Sequence, residues 1–416
     1  MHGQLLKFAF ILVIASFLID VYVYYGLKTL LSKWSRSSRI MAFAIYFTIT
    51  IIISLLLIYS MSLSNKPPGM TPFHQWVLSL FLTLLITKFF FVVTLLLGDV
   101  YRLVIGLVNG LRKTPHNGRY VPSRRQFVSK AAVAFAAVPF AASFYAMLKG
   151  KYDYKVHRHA LYFEDLPEAF DGFTITQISD VHSGSFDNAA AVQRGIDLAK
   201  AQKSDLFVFT GDLVNNVASE IVPYINHFNQ LKAPYGQYSV LGNHDYGDYV
   251  SWKSEAHQAA NLEQLKEHHK TLGYKLLLDE NVTLEKDGQR IVLIGVQNWG
   301  RGFIQIGDLD KALEGVEPDA FKVLLSHDPT HWEEKVRYHP ANIKLTLSGH
   351  THGAQFGVEA DKFRWSPVKY RYLDWAGLAE ENKRYLYVNR GFGFLAFSGR
   401  LGIWPEITVL ELKRKV

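Results

Sequence analysis

The sequence predicts two unlike halves: a membrane-spanning helical bundle over residues 1–150 and an α/β domain with two packed sheets over residues 151–416. Three observations carry that division. Four long apolar stretches lie within the first half. Lys and Arg outnumber Asp and Glu by 15 to two there and are outnumbered 30 to 35 afterwards, so net charges of +13 and −5 make up the overall +8. From Gly150 onward, short apolar runs alternate with polar helix-like ones, and five apolar runs stop at an Asp, Asn or His.

The first apolar stretch lies between Lys7 and Lys28 and holds one charge, Asp20. The second is uncharged from Ile40 to Asn65, and the third, Pro67 to Gly98, is interrupted only by Lys88. About 20 apolar residues cross the hydrocarbon core as a helix, and these three meet that length. The fourth, Ala131 to Leu148, is Ala-rich and contains Pro139. It is read as a fourth span, with an interfacial or signal-like segment as the alternative. Asp20 and Lys88 are costly in an apolar medium, and mutual pairing or snorkelling near a helix end is the expected remedy.

The loops orient the bundle. Residues 28–39 carry Lys28, Lys33, Arg36 and Arg39 with no acid, residues 64–72 carry only Lys66, and residues 99–130 carry seven basic residues against Asp99. The positive-inside rule places the first and third of these loops in the cytoplasm, leaving residues 151–416 outside. The expected location is therefore a multi-pass cell-membrane protein with an extracytoplasmic domain. Residues 123–130, Ser-Arg-Arg-Gln-Phe-Val-Ser-Lys, are similar to a twin-arginine export signal. Val128 and Ser129 depart from the usual pattern, and two arginines in a positive-inside loop are the plain alternative. The basic excess sits among apolar segments, so nucleic acid is not an expected partner. With no cysteine, disulfides and thiolate chemistry are excluded.

In the second half, strands are expected at Phe173–Ser179, Leu206–Thr210, Gln237–Leu241, Ile291–Val296, Lys322–Leu325, Ile343–Leu347, 385–388 and 407–412. Helices are expected at Asn188–Gln202 and Glu255–Leu272, the latter facing solvent, with His268 and His269 solvated on it. The chemistry lies where strands stop: Asp180-x-His182, Gly211-Asp212, Gly242-Asn243-His244-Asp245, Ser326-His327-Asp328 and Gly349-His350-Thr351-His352. Strand ends on one edge of a sheet converge in space. A preceding glycine lets the chain turn sharply beside a bound ion, and an i, i+2 pair on an extended segment shares one face. Carboxylate, carboxamide and imidazole together suit Mn, Fe, Zn or Ni. Two such ions about 4 Å apart can clamp a phosphoester and activate water. Any one fragment is an ordinary turn; it is the five together that point to chemistry.

In that order the motifs resemble the calcineurin-like metallophosphoesterase superfamily over roughly residues 170–416. Ser326-His327-Asp328-Pro329 and the tail from Gly391-Phe392-Gly393 to Pro405-Glu406 are similar to its membrane-linked bacterial phosphodiesterases. The resemblance implies a four-layer αββα sandwich behind the bundle of about four helices. It also implies two divalent metal ions. Asp180, His182, Asp212 and His352 would hold one. Asp212, Asn243, His327 and His350 would hold the other, with Asp212 bridging. His244 would act on the leaving-group oxygen, oriented by Asp245. The expected activity is hydrolysis of a phosphate mono- or diester; a lipid phosphoester, a nucleotide or an envelope polymer remain open as substrates. The alternative is a transport or sensing protein whose soluble domain binds a phosphorylated ligand without turnover. A complete ligand set with His244 favours an enzyme.

Residues 361–377 interleave Phe363, Trp365, Tyr370, Tyr372 and Trp375 with Lys362, Arg364, Lys369 and Arg371. Such a mixture suits the headgroup region of a bilayer, while packing of the aromatics beneath the loop is the alternative. His331 is not expected to be a ligand, and a place lining the site is the weaker alternative.

Overall fold

The computed structural model describes residues 2–64, 66–111, 122–360 and 363–415. Arg112, Lys113 and Arg119 of the basic loop, and Lys362, lie outside the described residues. The chain divides into two compact units, one of residues 1–63 and 76–145 and one of residues 64–75 and 146–416.

The first unit is built from α1 (His2–Leu30), α2 (Arg36–Leu63), α3 (Pro72–Leu111) and α4 (Pro122–Leu148). All four are long and apolar enough to cross a membrane. Ile11, Leu18, Leu55, Leu97 and Leu107 are exposed on them, an arrangement costly in water and neutral against lipid chains. At Gly26 an added Cβ would lie 2.5 Å from Leu95 Cδ1, so α1 and α3 pack with nothing between them there. Asp20 and Lys88 pair at 2.9 Å, both buried, and Ser16 accepts a further bond from Lys88. Two boundaries differ from expectation. α3 continues past Gly98 to Leu111, because 99–111 contains no proline and Asp99 pairs one turn on with Arg102. The twin-arginine-like residues 123–130 lie inside α4, which starts on Pro122, rather than in a loop.

Among its described residues the second unit contains fourteen strands: β1 (Lys155–Phe163), β2 (Thr174–Ile178), β3 (Leu206–Phe209), β4 (Gln237–Ser239), β5 (Lys275–Leu276), β6 (Glu280–Lys286), β7 (Gln289–Gly295), β8 (Phe321–Leu325), β9 (Leu345–Ser348), β10 (Val358–Ala360), β11 (Phe363–Trp365), β12 (Gly377–Glu381), β13 (Arg384–Val388) and β14 (Glu406–Arg414). One six-stranded sheet runs β1-β14-β2-β3-β4-β5 and the other β12-β13-β9-β8-β7-β6; β10 and β11 form a separate hairpin.

Alternation along the strands builds the layers. Leu206 and Val208 of β3, and Ile291, Leu293, Phe321, Val323 and Leu325 of β7 and β8, fill one core between the sheets. The residues between them point the other way. Phe207 and Phe209 pack with α5 (Ala189–Lys200) and α6 (Glu255–Leu272). Val292, Ile294 and Leu324 pack under Leu309, Ala312, Trp332 and Val336. Helix, sheet, sheet and short helices thus make four layers. The helix at 255–272 has the expected limits, but it is not wholly solvated. Asn261, Leu265, His269 and Leu272 form a buried stripe, and His269 Nδ1 meets Ser239 Oγ of β4 at 2.9 Å. Adjacent positions on a helix face apart, so His268 is half-buried while His269 lies in the core.

Candidate metal centre

β2, β3 and β4 are parallel neighbours, and so are β8 and β9 in the facing sheet. Their C-terminal ends therefore deliver five loops to one edge of the sandwich. Asp180 and His182 follow β2, Asp212 follows β3, Asn243 and His244 follow β4, His327 follows β8, and His350 and His352 follow β9.

The ligand atoms of Asp180, His182 and His352 lie within 4.8 Å of one another, as do those of Asp212, His327 and His350. Asp212 Oδ2 stands between the groups, 3.5 Å from His182 Nε2 and 3.2 Å from His327 Nε2. The i, i+2 pairs do not share an extended face. Asp180, His182, Asp212, His350 and His352 all have positive φ, between 47° and 73°. Each such residue costs of order 1–3 kcal/mol and turns the chain at once, which sends His350 to one group and His352 to the other. Glycine is required beside them. A Cβ at Gly211 would lie 2.6 Å from Gly242 N, and one at Gly349 would lie 2.1 Å from Asp180 Oδ2.

Hydrogen bonds fix which ring atoms face inward. His327 Nδ1 donates to Thr210 O at 2.7 Å, so its Nε2 is the ring atom that faces the cavity. That atom faces His350 Nδ1 at 3.3 Å, while His350 Nε2 lies 3.3 Å from Asp328 Oδ2 and 2.8 Å from the Tyr372 hydroxyl. Two imidazole nitrogens that close need a cation or proton between them. Asn243 donates to the Tyr249 hydroxyl at 2.7 Å, and its buried Oδ1 has no hydrogen-bond partner among the described residues. These inward-facing atoms, with a carboxylate between the groups, fit divalent cations.

The charges fit as well. Burial, with Asp212 adding repulsion, pushes the Asp180 carboxyl up to about 6. Burial would raise Asp212, but the charge of the neighbouring His327 outweighs it and holds the carboxyl well below the usual carboxylate range. Burial depresses His182 to about 3 and His350 to about 4. Against its own burial, His327 is lifted to about 10 by the charge of Asp212. Buried carboxylates beside the imidazoles that burial keeps neutral, His182, His350 and His352, make a cavity that gains from added positive charge.

His244 sits beside both groups, its ring 4.9 Å from that of His182 and 4.3 Å from that of Tyr249. Its Nδ1 donates to Asn215 O at 2.8 Å, leaving Nε2 for chemistry. The expected orienting role of Asp245 is not found. Its carboxylate accepts from the backbone N–H of Asp212, Leu213 and Gly242 at 2.8–2.9 Å and so braces the Asp212 turn. Sequence reasoning missed Asn215 because its acceptor is a backbone carbonyl, and any residue type supplies one. It also assigned no role to Tyr249, Asp328 or Arg400, whose Nη2 lies 3.0 Å from His352 Nδ1, and it read Tyr372 for the bilayer or the core beneath its loop and not for the centre. The adjacency of Asp328 to His327 was the one available signal. His331 is not at the centre but packs on Trp299, with Nδ1 2.9 Å from Ser326 Oγ.

The aromatic and basic segment is split. Tyr372 and Trp375 are buried and Trp365 half-buried, whereas Phe363, Tyr370 and Leu373 are 58%, 78% and 74% exposed.

Residues 173–354 match the family described as calcineurin-like phosphoesterase, and residues 6–151 match one described as the transmembrane domain of a probable calcineurin-like phosphoesterase. Metallophosphoesterase YkuE of Bacillus subtilis (strain 168) is 28% identical over 70% of this chain and 98% of its own length. A Bos taurus transmembrane protein with metallophosphoesterase domain is 28% identical over 60% of this chain and 54% of its own. The UDP-2,3-diacylglucosamine pyrophosphatase LpxG of Chlamydia trachomatis serovar D is 29% identical over 55% of this chain and 81% of its own.

Proposed function

The chain belongs to the calcineurin-like phosphoesterase family and is a membrane-bound phosphoric ester hydrolase, and on that premise we propose that it hydrolyses a lipid phosphoester at the outer face of the cytoplasmic membrane with two divalent ions. Asp180, His182, Asp212 and His352 hold one ion in this reading, and Asp212, Asn243, His327 and His350 hold the other. When bound, the two ions supply the positive field that draws in the phosphate and polarises the attacking water. The observation that carries the reading is the placement of Asp212 Oδ2 between the two groups, 3.5 Å from His182 Nε2 and 3.2 Å from His327 Nε2.

The protein's own groups then have distinct tasks. With Nδ1 committed to Asn215, His244 offers Nε2 to the leaving oxygen and delivers a proton there. Stacking of Tyr249 limits the tilt of that ring. Asp328 and Tyr372 hold the His350 ring with Nδ1 inward. A complete donor set with a separately held proton donor favours turnover over a sensing role.

Two features support a lipid substrate. The name of the LpxG relative gives a diacylated sugar nucleotide as what that protein acts on. Here Phe363, Tyr370 and Leu373 stand exposed on the segment that also carries Arg364, Lys369 and the buried Tyr372 beside His350. Exposed rings with cations suit a headgroup layer. The test is hydrolysis by the purified chain in mixed micelles, with Mn, Fe, Zn and Ni supplied separately. A Phe363→Ser/Tyr370→Ser/Leu373→Ser variant is expected to lose activity on phospholipid and keep it on a small soluble phosphodiester. Equal loss on both refutes the lipid reading, and no hydrolysis with any of the metals refutes the hydrolytic one.

A further inference from the structure

The segment joining α2 to α3 connects two apolar helices, and nothing in its sequence marks it as part of a catalytic domain. Yet residues 64–75 group with the phosphoesterase unit, and two features tie them there. The first is the approach of Gly69, whose φ is +87°. A Cβ on it would lie 2.8 Å from Val250 Cγ1 and 2.9 Å from Asn216 Nδ2, so the backbone lies directly on the loops beyond β3 and β4. The second is Gln75, fully buried, whose Nε2 donates to Ser185 Oγ at 2.7 Å. Thr71 closes the turn between them, with its N–H 3.1 Å from His74 Nδ1.

Ser185 stands three residues beyond His182, and Asn215 three beyond Asp212. Ser185 Oγ also meets the Asn215 side chain, at 3.1 Å from Nδ2 and 3.2 Å from Oδ1. The carbonyl of that same Asn215 holds His244 Nδ1 at 2.8 Å. A continuous chain of contacts therefore runs Gln75, Ser185, Asn215, His244. Asn215 is braced on its other side by Glu220, which accepts its backbone N–H at 2.5 Å. A residue held at its side chain and at its N–H keeps its carbonyl in place, which fixes the direction in which His244 presents Nε2, and small misplacements of a proton donor are expensive in rate.

We propose that the connection before α3, with the helix's first turn, is a working part of the phosphoesterase site and that Gln75 is a positioning residue, acting through Ser185 on the Asn215 carbonyl that holds His244. This rests on the hydrolytic reading above. It gives the membrane-spanning half a role beyond anchoring: a domain cut free at residue 151 lacks one wall of its own proton-donating side.

The test has two arms on the full-length chain. In the first, Gly69→Cys and Val250→Cys are combined in this cysteine-free sequence, where a Cβ added at residue 69 would lie 2.8 Å from Val250 Cγ1. Mild oxidation should link residues 69 and 250 within one chain with or without metal, and failure to link overturns the placement of the loop. The second arm compares two soluble diesters. Bis(4-nitrophenyl) phosphate has a leaving group that departs without a proton, and diphenyl phosphate has a poorer one. Gln75→Leu should cut kcat on diphenyl phosphate roughly ten-fold and on the nitrophenyl ester less than about two-fold. KM and bound metal should stay unchanged. Ser185→Ala should do the same, and the double variant should lose no more than either single one. If Gln75→Leu does not fold, Ser185→Ala carries the comparison alone. Equal losses on both esters, or no loss on either, overturn the positioning role. A wild-type chain inactive on both esters refutes the hydrolytic reading and the positioning role with it, and the disulfide arm separates that failure from a misplaced loop.

Discussion

Replacing Asp328 with Asn tests the inward face of the centre without touching a ligand. The carboxylate is fully buried. Its Oδ1 accepts from the N–H and the hydroxyl of Thr330 at 2.8 and 2.7 Å, and its Oδ2 lies 3.3 Å from His350 Nε2. Once His350 presents Nδ1 to an ion, Nε2 carries the hydrogen. An Asn side chain keeps its oxygen toward Thr330, where two donors require it, and so turns its NH2 toward that hydrogen. Donor then faces donor in a dry site. The ring can turn away from Asp328 only at the cost of its inward nitrogen, while the Tyr372 hydroxyl at 2.8 Å offers a partial substitute. Loss of such an outer partner weakens metal binding about 10–100-fold, or roughly 1.4–2.7 kcal/mol. Calorimetric titration of the metal-stripped chain with Mn and with Zn measures this directly. Turnover at saturating metal should return to within a few-fold of wild type, since His244 is untouched. An unchanged Kd, or a turnover defect that excess metal does not relieve, would refute the assignment of Asp328 as the support of His350.

Asp212→Asn should abolish turnover and lower bound metal at both positions, as metal analysis would report; near-normal hydrolysis would exclude a shared ligand. His244→Ala should cut kcat by about 10²–10⁴ with metal content kept, and loss of metal would show that it is a ligand instead. Cysteines at Ser251 and Ser123 should react with an impermeant reagent in intact cells at the first position only; the reverse pattern would invert the orientation. Burial holds His269 and His331 down at about 3. The unfolded chain therefore takes up protons near pH 6.5 that the folded one refuses until about 3, and stability should fall as pH drops through that window, by up to about 1.4 kcal/mol per unit for each group. A His269→Leu/Ser239→Ala variant should show a shallower fall in thermal midpoint between pH 6.5 and 4.5; an identical slope would refute the assignment.

Much of the site was legible because ligand chemistry demands particular residue types at strand ends. Asp180, Asp212, Asn243 and the four histidines each follow an apolar run, and that pattern needs no tertiary information. What escaped is what other residue types can equally supply. The acceptor for His244 is a main-chain carbonyl of Asn215, and the brace of the Asp212 turn is Asp245, which the motif had suggested for another task. Helix limits were legible where caps and breakers mark them, as at Glu255–Leu272 before Gly273. The missed strand β1 carries His157, Arg158 and His159, which mask its alternation, and it is a strand because β14 pairs along its whole length. A partner over 240 residues away leaves no local trace.

The Asp20–Lys88 pair bears on how the bundle is assembled. The two charges lie on α1 and α3, and a chain is threaded into the membrane in order. When α1 enters, its partner has not yet been made, so Asp20 must wait in the translocation machinery, near water or with a borrowed counter-charge, until α3 arrives. A truncation after α2 leaves Asp20 with the Tyr46 hydroxyl but without the Lys88 charge, so that fragment is expected to be short-lived, while Asp20→Leu should let it persist. Pulse-chase of the two truncated chains would read the difference as a half-life.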